Sequence, residues 1–209
     1  MKKYILFDLD GTLTDPMEGI CKSAARGLAH FGIKADYHDL TFFIGPPLLD
    51  TYRDRYGMND EQAREAVAAF REYFQPTGIY ENEIYPGIEE MLKELQDKGY
   101  FLAMATSKPE AFADIVLRHF HIRDYIKVMA GATMAEVLAY ALEQMNISDL
   151  SEAVMVGDRS YDVKGAQAMG IDSVGVLYGY GSREELEEAG ATKIAKSVED
   201  LKNILLNWK

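Results

Sequence analysis

"YILFDLDGTLTD" occupies residues 4–15. An unbroken apolar run leads into two aspartates one residue apart, and a glycine and a threonine follow at once. A short apolar run without alternation reads as a strand buried on both faces, the pattern of a parallel sheet. A carboxylate carried into such an interior costs several kcal/mol unless something compensates it. Asp8 and Asp10 therefore need a partner, and the search for one organises the rest of the chain.

The same kind of run recurs at "FLAMAT" (Phe101–Thr106), "VMAG" (Val128–Gly131), "AVMVGD" (Ala153–Asp158) and "SVGVLYG" (Ser173–Gly179). Helical stripes lie between them. Ile88, Met91, Leu92 and Leu95 form one, bracketed by Pro86 and Gly99. Phe112, Ile115, Val116 and Phe120 follow Pro109, and Val137, Leu138, Ala141, Leu142 and Met145 form a third. Strand–helix alternation from residue 84 onward predicts an α/β fold, a doubly wound, Rossmann-like parallel sheet. Ser182 with Glu185, and Ser197 with Asp200, read as capping boxes of two late helices.

Residues 15–83 differ, with no strand pattern. Asp15 is placed to cap a helix at Pro16, with Met17, Ile20, Cys21, Ala24, Leu28 and Phe31 on one face. "FFIGPPLLDTY" (Phe42–Tyr52) leads into a second helix, and Asn59 starts a third with Ala63, Ala66, Val67, Phe70 and Phe74 as its stripe. The expected organisation is an α/β core of residues 1–14 and 84–209 interrupted by a small all-helical cap domain, residues 15–83. Its Ile44–Leu48 loop, stiffened by Pro46 and Pro47, is expected to face the pocket and to help exclude water on closure.

Composition narrows the function. The 209 residues hold 22 Lys+Arg against 34 Asp+Glu, a net charge of −12. That argues against a nucleic-acid polymer or a membrane surface as partner and still permits a small anionic substrate beside one local cation. Cys21 is the only cysteine, so no intrachain disulfide is possible and a reducing, cytoplasmic setting is expected. The apolar run after Lys2 and Lys3 stops at Asp8, too short for a signal peptide. Oligomeric state stays open.

In an open parallel sheet, ligands bind at the carboxyl ends of strands. Asp8 and Asp10, Thr106, and Asp158 all stand at such ends, with Asp162 in the first turn of the next helix. Side chains two apart in an extended segment point the same way, so Asp8 and Asp10 can share a pocket. Four carboxylates together repel unless a cation neutralises them, and an all-oxygen donor set suits a hard divalent ion, Mg²⁺ first. Each feature alone has a bland structural reading: an Asp-x-Asp turn, a helix start after "TSKP", a capped helix at "GDRSYD". Their joint occurrence, in order and each at a strand end, favours a metal–phosphate site. The ten methionines read as core filler, and "HFH" (His119–His121) as a helix end, since neighbours one or two apart share no helical face.

"DLDGTLTD", "ATSKP" and "VGDRSYD" resemble motifs one, two and four of the haloacid dehalogenase-like phosphohydrolases, and the insertion after the first motif resembles their helical cap. "FIGPPL", "YENEIYPG" and "VLYGYGSREELEEAGA" resemble the phosphoglycolate phosphatase-like branch, nearest to bacterial 5′-nucleotidase-type members. The resemblance implies a Mg²⁺-dependent phosphomonoesterase acting on a small phosphorylated metabolite. A nucleoside 5′-monophosphate is the first choice, with phosphoglycolate hydrolysis or sugar phosphomutation as alternatives. It implies Asp8 as the nucleophile and Asp10 as the acid and base. Asp8, Asp10 through its backbone carbonyl, and Asp158 are the implied metal ligands, with Asp162 in support. Gly11, Thr106, Ser107 and Lys108 are implied at the phosphate.

One departure stands out. The family carries a lysine before the helix that begins here near Ala135, yet this chain reads "VMAGATMAEVLAYALEQM" there, with Met134 in that region and no lysine between Lys127 and Lys164. Lys108 or Lys127 could supply the charge, or it could be missing. Losing it would weaken transition-state stabilisation by several kcal/mol. A catalytically impaired phosphate-binding homologue is thus a further alternative. A receiver-type signalling domain fits poorly, because such domains lack a long helical insertion after the first strand. Asp10 argues against dehalogenation, where the leaving group needs no proton.

Overall fold

The computed structural model describes residues 2–131 and 134–208, without the side chains of residues 134–136. Eight strands are present among them: β1 (Tyr4–Phe7), β2 (Thr14–Asp15), β3 (Glu83–Ile84), β4 (Phe101–Thr106), β5 (Val128–Gly131), β6 (Ala153–Gly157), β7 (Asp172–Val176) and β8 (Lys193–Ala195). Nine α-helices accompany them: α1 (Met17–His30), α2 (Leu48–Tyr56), α3 (Asp60–Phe74), α4 (Ile88–Asp97), α5 (Glu110–His119), α6 (Met134–Gln144), α7 (Ser160–Ala168), α8 (Arg183–Glu188) and α9 (Val198–Leu206).

The chain forms two compact units, one of Met1–Thr14 with Ile84–Lys209 and one of Asp15–Glu83. The first holds a six-stranded sheet in the order β5-β4-β1-β6-β7-β8, parallel at every junction. Continuous apolar runs form its strands because both faces are covered. Leu6, Ala103, Ala105 and Met155 pack on one face with Val137, Leu138 and Ala141 of α6 and Ala166 of α7. Their alternating neighbours Ile5, Phe7, Leu102, Met104, Val154 and Val156 are equally buried, as period-two side chains require. Strand β8 went unread in the sequence: three residues with a lysine at the sheet edge carry no apolar run.

Sheet order decides where chemistry can occur. From β1 the chain builds outward through β4 and β5, then crosses to the other side of β1 for β6, β7 and β8. Loops leaving β1, β4 and β6 diverge from that reversal, opening a crevice at their carboxyl ends. Asp8, Thr106 and Asp158 stand there.

The second unit is helical. Ile20, Cys21, Ala24 and Leu28 of α1 are buried, as are Ala63, Ala66, Val67, Phe70 and Phe74 of α3, which matches the stripes read from the sequence. Asp15 Oδ1 accepts from Met17 N–H (3.0 Å), and α1 begins at Met17 with Pro16 as its cap residue, one position later than expected. Asn59 closes a reciprocal capping box with Gln62. The two late capping boxes are only half made. Ser182 and Ser197 accept from the N–H groups of Glu185 and Asp200. The acids turn elsewhere: Glu185 accepts from Ser160 N–H and Asp200 from Lys196 N–H. Among the described residues, no helix is long and apolar enough to cross a membrane.

Candidate active site

Strand β1 ends at Phe7, and Asp8 continues its line with its N–H donating to the Val156 carbonyl (2.9 Å). The chain then turns tightly: the N–H groups of Thr12, Leu13 and Thr14 all aim at the Leu9 carbonyl. Gly11 makes the turn possible. Its φ is +85°, and a Cβ there would stand 2.2 Å from Asp158 Oδ2, so only glycine lets the two loops touch. Gly157 does the same for Asp162, whose Cγ lies 2.1 Å from where a Cβ would be.

These close approaches gather Asp8, Asp158 and Asp162, each of which offers a carboxylate oxygen within 4.8 Å of the other two. All three are buried. Burial, followed by the charge on Asp158, pushes the Asp8 carboxyl up to about 8, against a hydrogen bond from Thr106 that favours its ionised form. Burial likewise pushes Asp158 up to about 7, opposed by the Tyr180 N–H, which donates to its Oδ2 at 2.7 Å. Asp162 is raised well above the usual carboxylate range by burial and then by its two acidic neighbours, although its Oδ2 accepts from Arg159 N–H (3.0 Å). Three carboxylates held this way need protons or a cation.

The carboxylate of Asp10 takes another direction. Its Oδ2 pairs with Lys108 Nζ at 2.7 Å, and both side chains are nearly enclosed. Lys108 is brought there by the strand order: β4 lies beside β1, and Lys108 follows Thr106 two residues past the strand end, its N–H donating to Thr106 Oγ1 (3.3 Å). Lys127, the other candidate cation, is exposed and donates to the Asp124 carbonyl (3.4 Å). Ser107 is exposed between Thr106 and Lys108. The reading attached to Gly131–Met134 falls largely on residues 132–133 and the side chain of 134, outside the described residues.

The Oδ1 atoms of Asp8, Asp10 and Asp158 are buried and find no donor among the described residues. A buried carboxylate oxygen without a donor is costly unless a ligand completes it. A buried carboxylate trio in which Asp8 and Asp158 each keep an open oxygen fits a hard divalent cation, for which oxygen is the preferred donor. Asp162 was read from the sequence only as support; here it stands level with Asp8 and Asp158. The signal was present in its spacing, four residues past Asp158 and five past a glycine.

Residues 5–176 match the family described as "Haloacid dehalogenase-like hydrolase". A protein of Pseudomonas aeruginosa named 5'-nucleotidase is 40% identical over 209 residues, spanning 96% of this chain and 94% of that one. A Mycobacterium tuberculosis protein named tyrosine-protein kinase PtkA is 41% identical, spanning 97% of this chain and 72% of that one. The crystal structure described as "a predicted phosphatase from Clostridium acetobutylicum" superposes with a TM-score of 0.94 at 42% identity, covering 99% of each chain.

Proposed function

The chain belongs to the haloacid dehalogenase-like hydrolase family, and from that premise we propose that it is a Mg²⁺-dependent phosphomonoesterase working through a phosphorylated Asp8. The observation that carries the proposal is the set of buried, donor-less carboxylate oxygens at the sheet's switch point, flanked by Thr106 and Lys108.

Asp8 is the nucleophile: one carboxylate oxygen attacks phosphorus, the P–O bond to the ester oxygen breaks, and the electron pair leaves with that oxygen. Asp10 gives the departing oxygen its proton. Asp10 then takes a proton from water, whose oxygen attacks the phosphoryl group on Asp8, releasing inorganic phosphate and restoring the carboxylate. Asp8 and Asp158, with Asp162 beside them and the Asp10 carbonyl, would hold Mg²⁺, which when bound neutralises charge on the carboxylates and phosphate. Thr106 holds Asp8 through its hydroxyl, and Thr106, the Ser107 amide and Lys108 meet the phosphate oxygens. Lys108 supplies the cation that the family places elsewhere, and it orients Asp10. Gly11 lets backbone N–H approach the phosphate.

A nucleoside 5′-monophosphate is the proposed substrate, supported by the relative named for that activity over nearly its whole length. The test is phosphate release by the purified chain from a panel of nucleoside monophosphates, phosphoglycolate and sugar phosphates with Mg²⁺. Asp8→Asn should abolish turnover with the fold intact. Turnover unchanged in that variant, or indifferent to EDTA, would remove the proposal. A final arm with ATP and a tyrosine peptide answers the kinase-named relative, and peptide phosphorylation exceeding ester hydrolysis would count against a phosphatase.

A further inference from the structure

The stretch Leu177–Ser182, between β7 and α8, has no place in the chemistry above, yet its backbone packs directly against Asp158 of the acidic trio. A Cβ on Gly179 would stand 2.3 Å from the Gly11 carbonyl oxygen and 2.5 Å from Asp158 Oδ2. A Cβ on Gly181 would stand 1.8 Å from the Asp158 carbonyl oxygen. Between them, Tyr180 N–H donates to Asp158 Oδ2 at 2.7 Å. Bare backbone is thus laid across one side of the Asp158 carboxylate, and two glycines are what allow it so close.

Both ends of this stretch are tied down. Tyr178 donates its hydroxyl to the Thr12 carbonyl (3.1 Å) and sets its ring edge-on to Tyr85 at 5.0 Å. On the far side, Glu185 accepts from Arg159 Nε (3.0 Å) and Ser160 N–H (2.8 Å), joining the first turn of α8 to the start of α7. This is why Glu185 leaves its capping box with Ser182 open. The loop is a strap fastened to the turn after β1 and to the helix after β6.

Its effect on Asp158 is asymmetric. Oδ2 is enclosed by Gly11, Gly179 and the Tyr180 N–H, whereas Oδ1 is buried and without a donor. One oxygen is spent, and one remains. Building on the metal site proposed above, we infer that the Gly179–Gly181 strap is a specificity element: it restricts Asp158 to one-oxygen coordination and so selects Mg²⁺ over Ca²⁺. Mg²⁺ takes six ligands in near-ideal octahedral geometry and uses carboxylates through single oxygens. Ca²⁺ takes six to eight and gains from a carboxylate that offers both. A strap that withholds Oδ2 leaves the Mg²⁺ mode intact and denies the Ca²⁺ mode.

The test reads metal binding without turnover. Mg²⁺ and Ca²⁺ are titrated separately into the metal-stripped full chain by calorimetry, without substrate. Tyr180→Pro removes the N–H donor and should shift the Ca²⁺-to-Mg²⁺ affinity ratio at least about tenfold toward Ca²⁺. Tyr180→Phe keeps the N–H and should hold the wild-type ratio. Glu185→Ala, which unfastens the strap away from the carboxylate, should move the ratio in the same direction by less. It carries the test if the proline variant does not fold. A folded Tyr180→Pro with a ratio within about twofold of wild type overturns the inference while leaving the metal site standing, as does an unmoved ratio in Glu185→Ala. Mg²⁺ binding that is absent from wild type, or that survives Asp158→Asn, overturns the metal site and the inference together.

Discussion

Replacing Asp8 by asparagine should make the metal-free protein more stable, although it removes the nucleophile. The Asp8 carboxyl is held at about 8 in the folded chain against 3.8 ordinarily, through burial first and the Asp158 charge second. A raised acid binds its proton more tightly folded than unfolded, so its unfavourable contribution is absent below the unfolded value and grows as pH rises toward the folded one. At pH 7 the folded chain must keep a proton that the unfolded chain has released, at a cost of about 1.36 × (7 − 3.8), or about 4 kcal/mol. At pH 5 the same product falls to about 2 kcal/mol. Asparagine keeps the shape and carries no such cost. For a chain of this size, 1 kcal/mol moves Tm by about 2–4 °C. In EDTA, then, Asp8→Asn should melt roughly 10 °C above wild type at pH 7 and only about 4 °C above it at pH 5. Excess Mg²⁺ should narrow or reverse the order, because wild type alone retains its full ligand set and is stabilised by RT ln(1 + [Mg²⁺]/Kd). The assay is thermal denaturation followed by circular dichroism at both pH values, with and without Mg²⁺. A variant that melts no higher than wild type in EDTA at pH 7, or whose advantage does not shrink at pH 5, refutes the reasoning.

Lys108→Met leaves the enclosed Asp10 carboxylate without its cation, so kcat/KM for phosphate esters should fall roughly a hundredfold. Lys127→Met, at an exposed site, should leave it within about twofold; comparable losses in both would separate Lys108 from the chemistry. Gly11→Ala places a Cβ 2.2 Å from Asp158 Oδ2 at a φ of +85°. Calorimetry should show Mg²⁺ affinity reduced at least about tenfold, as expected when a group holding a ligand is displaced. Lys2, buried at the start of β1, donates to the Ser151 and Ala153 carbonyls and to Asp172. Lys2→Met strands those acceptors and should cost about 2 kcal/mol, read as a Tm lower by roughly 5 °C with KM unchanged.

Five of the six sheet strands could be read directly, because a strand covered on both faces is apolar along most of its length. The helices of residues 15–83 were equally plain, since one buried stripe every three or four residues survives in the composition of α1 and α3. Strand β8 was not, for its three residues gain their place from pairing with β7. The acidic cluster was legible as a set of residues rather than as an arrangement. Alternation along an extended chain sends Asp8 and Asp10 the same way, but the strand ends at Phe7 and the chain turns at Gly11. The Asp10 carboxylate goes to Lys108, while Asp162 comes in across Gly157 to join Asp8 and Asp158.

The amino-acid order by itself determined which segments are buried and which residue types stand where strands stop, because burial and local geometry act over a few neighbouring residues. Tertiary structure alone set Lys108 against Asp10 and left Lys127 exposed, admitted Asp162 to the trio and laid the Tyr180 N–H on Asp158. Each of those contacts joins residues that meet only once the strands have paired in the order β4-β1-β6-β7. A charge or a hydrogen bond acts over a few ångströms, and that distance does not exist until the sheet does.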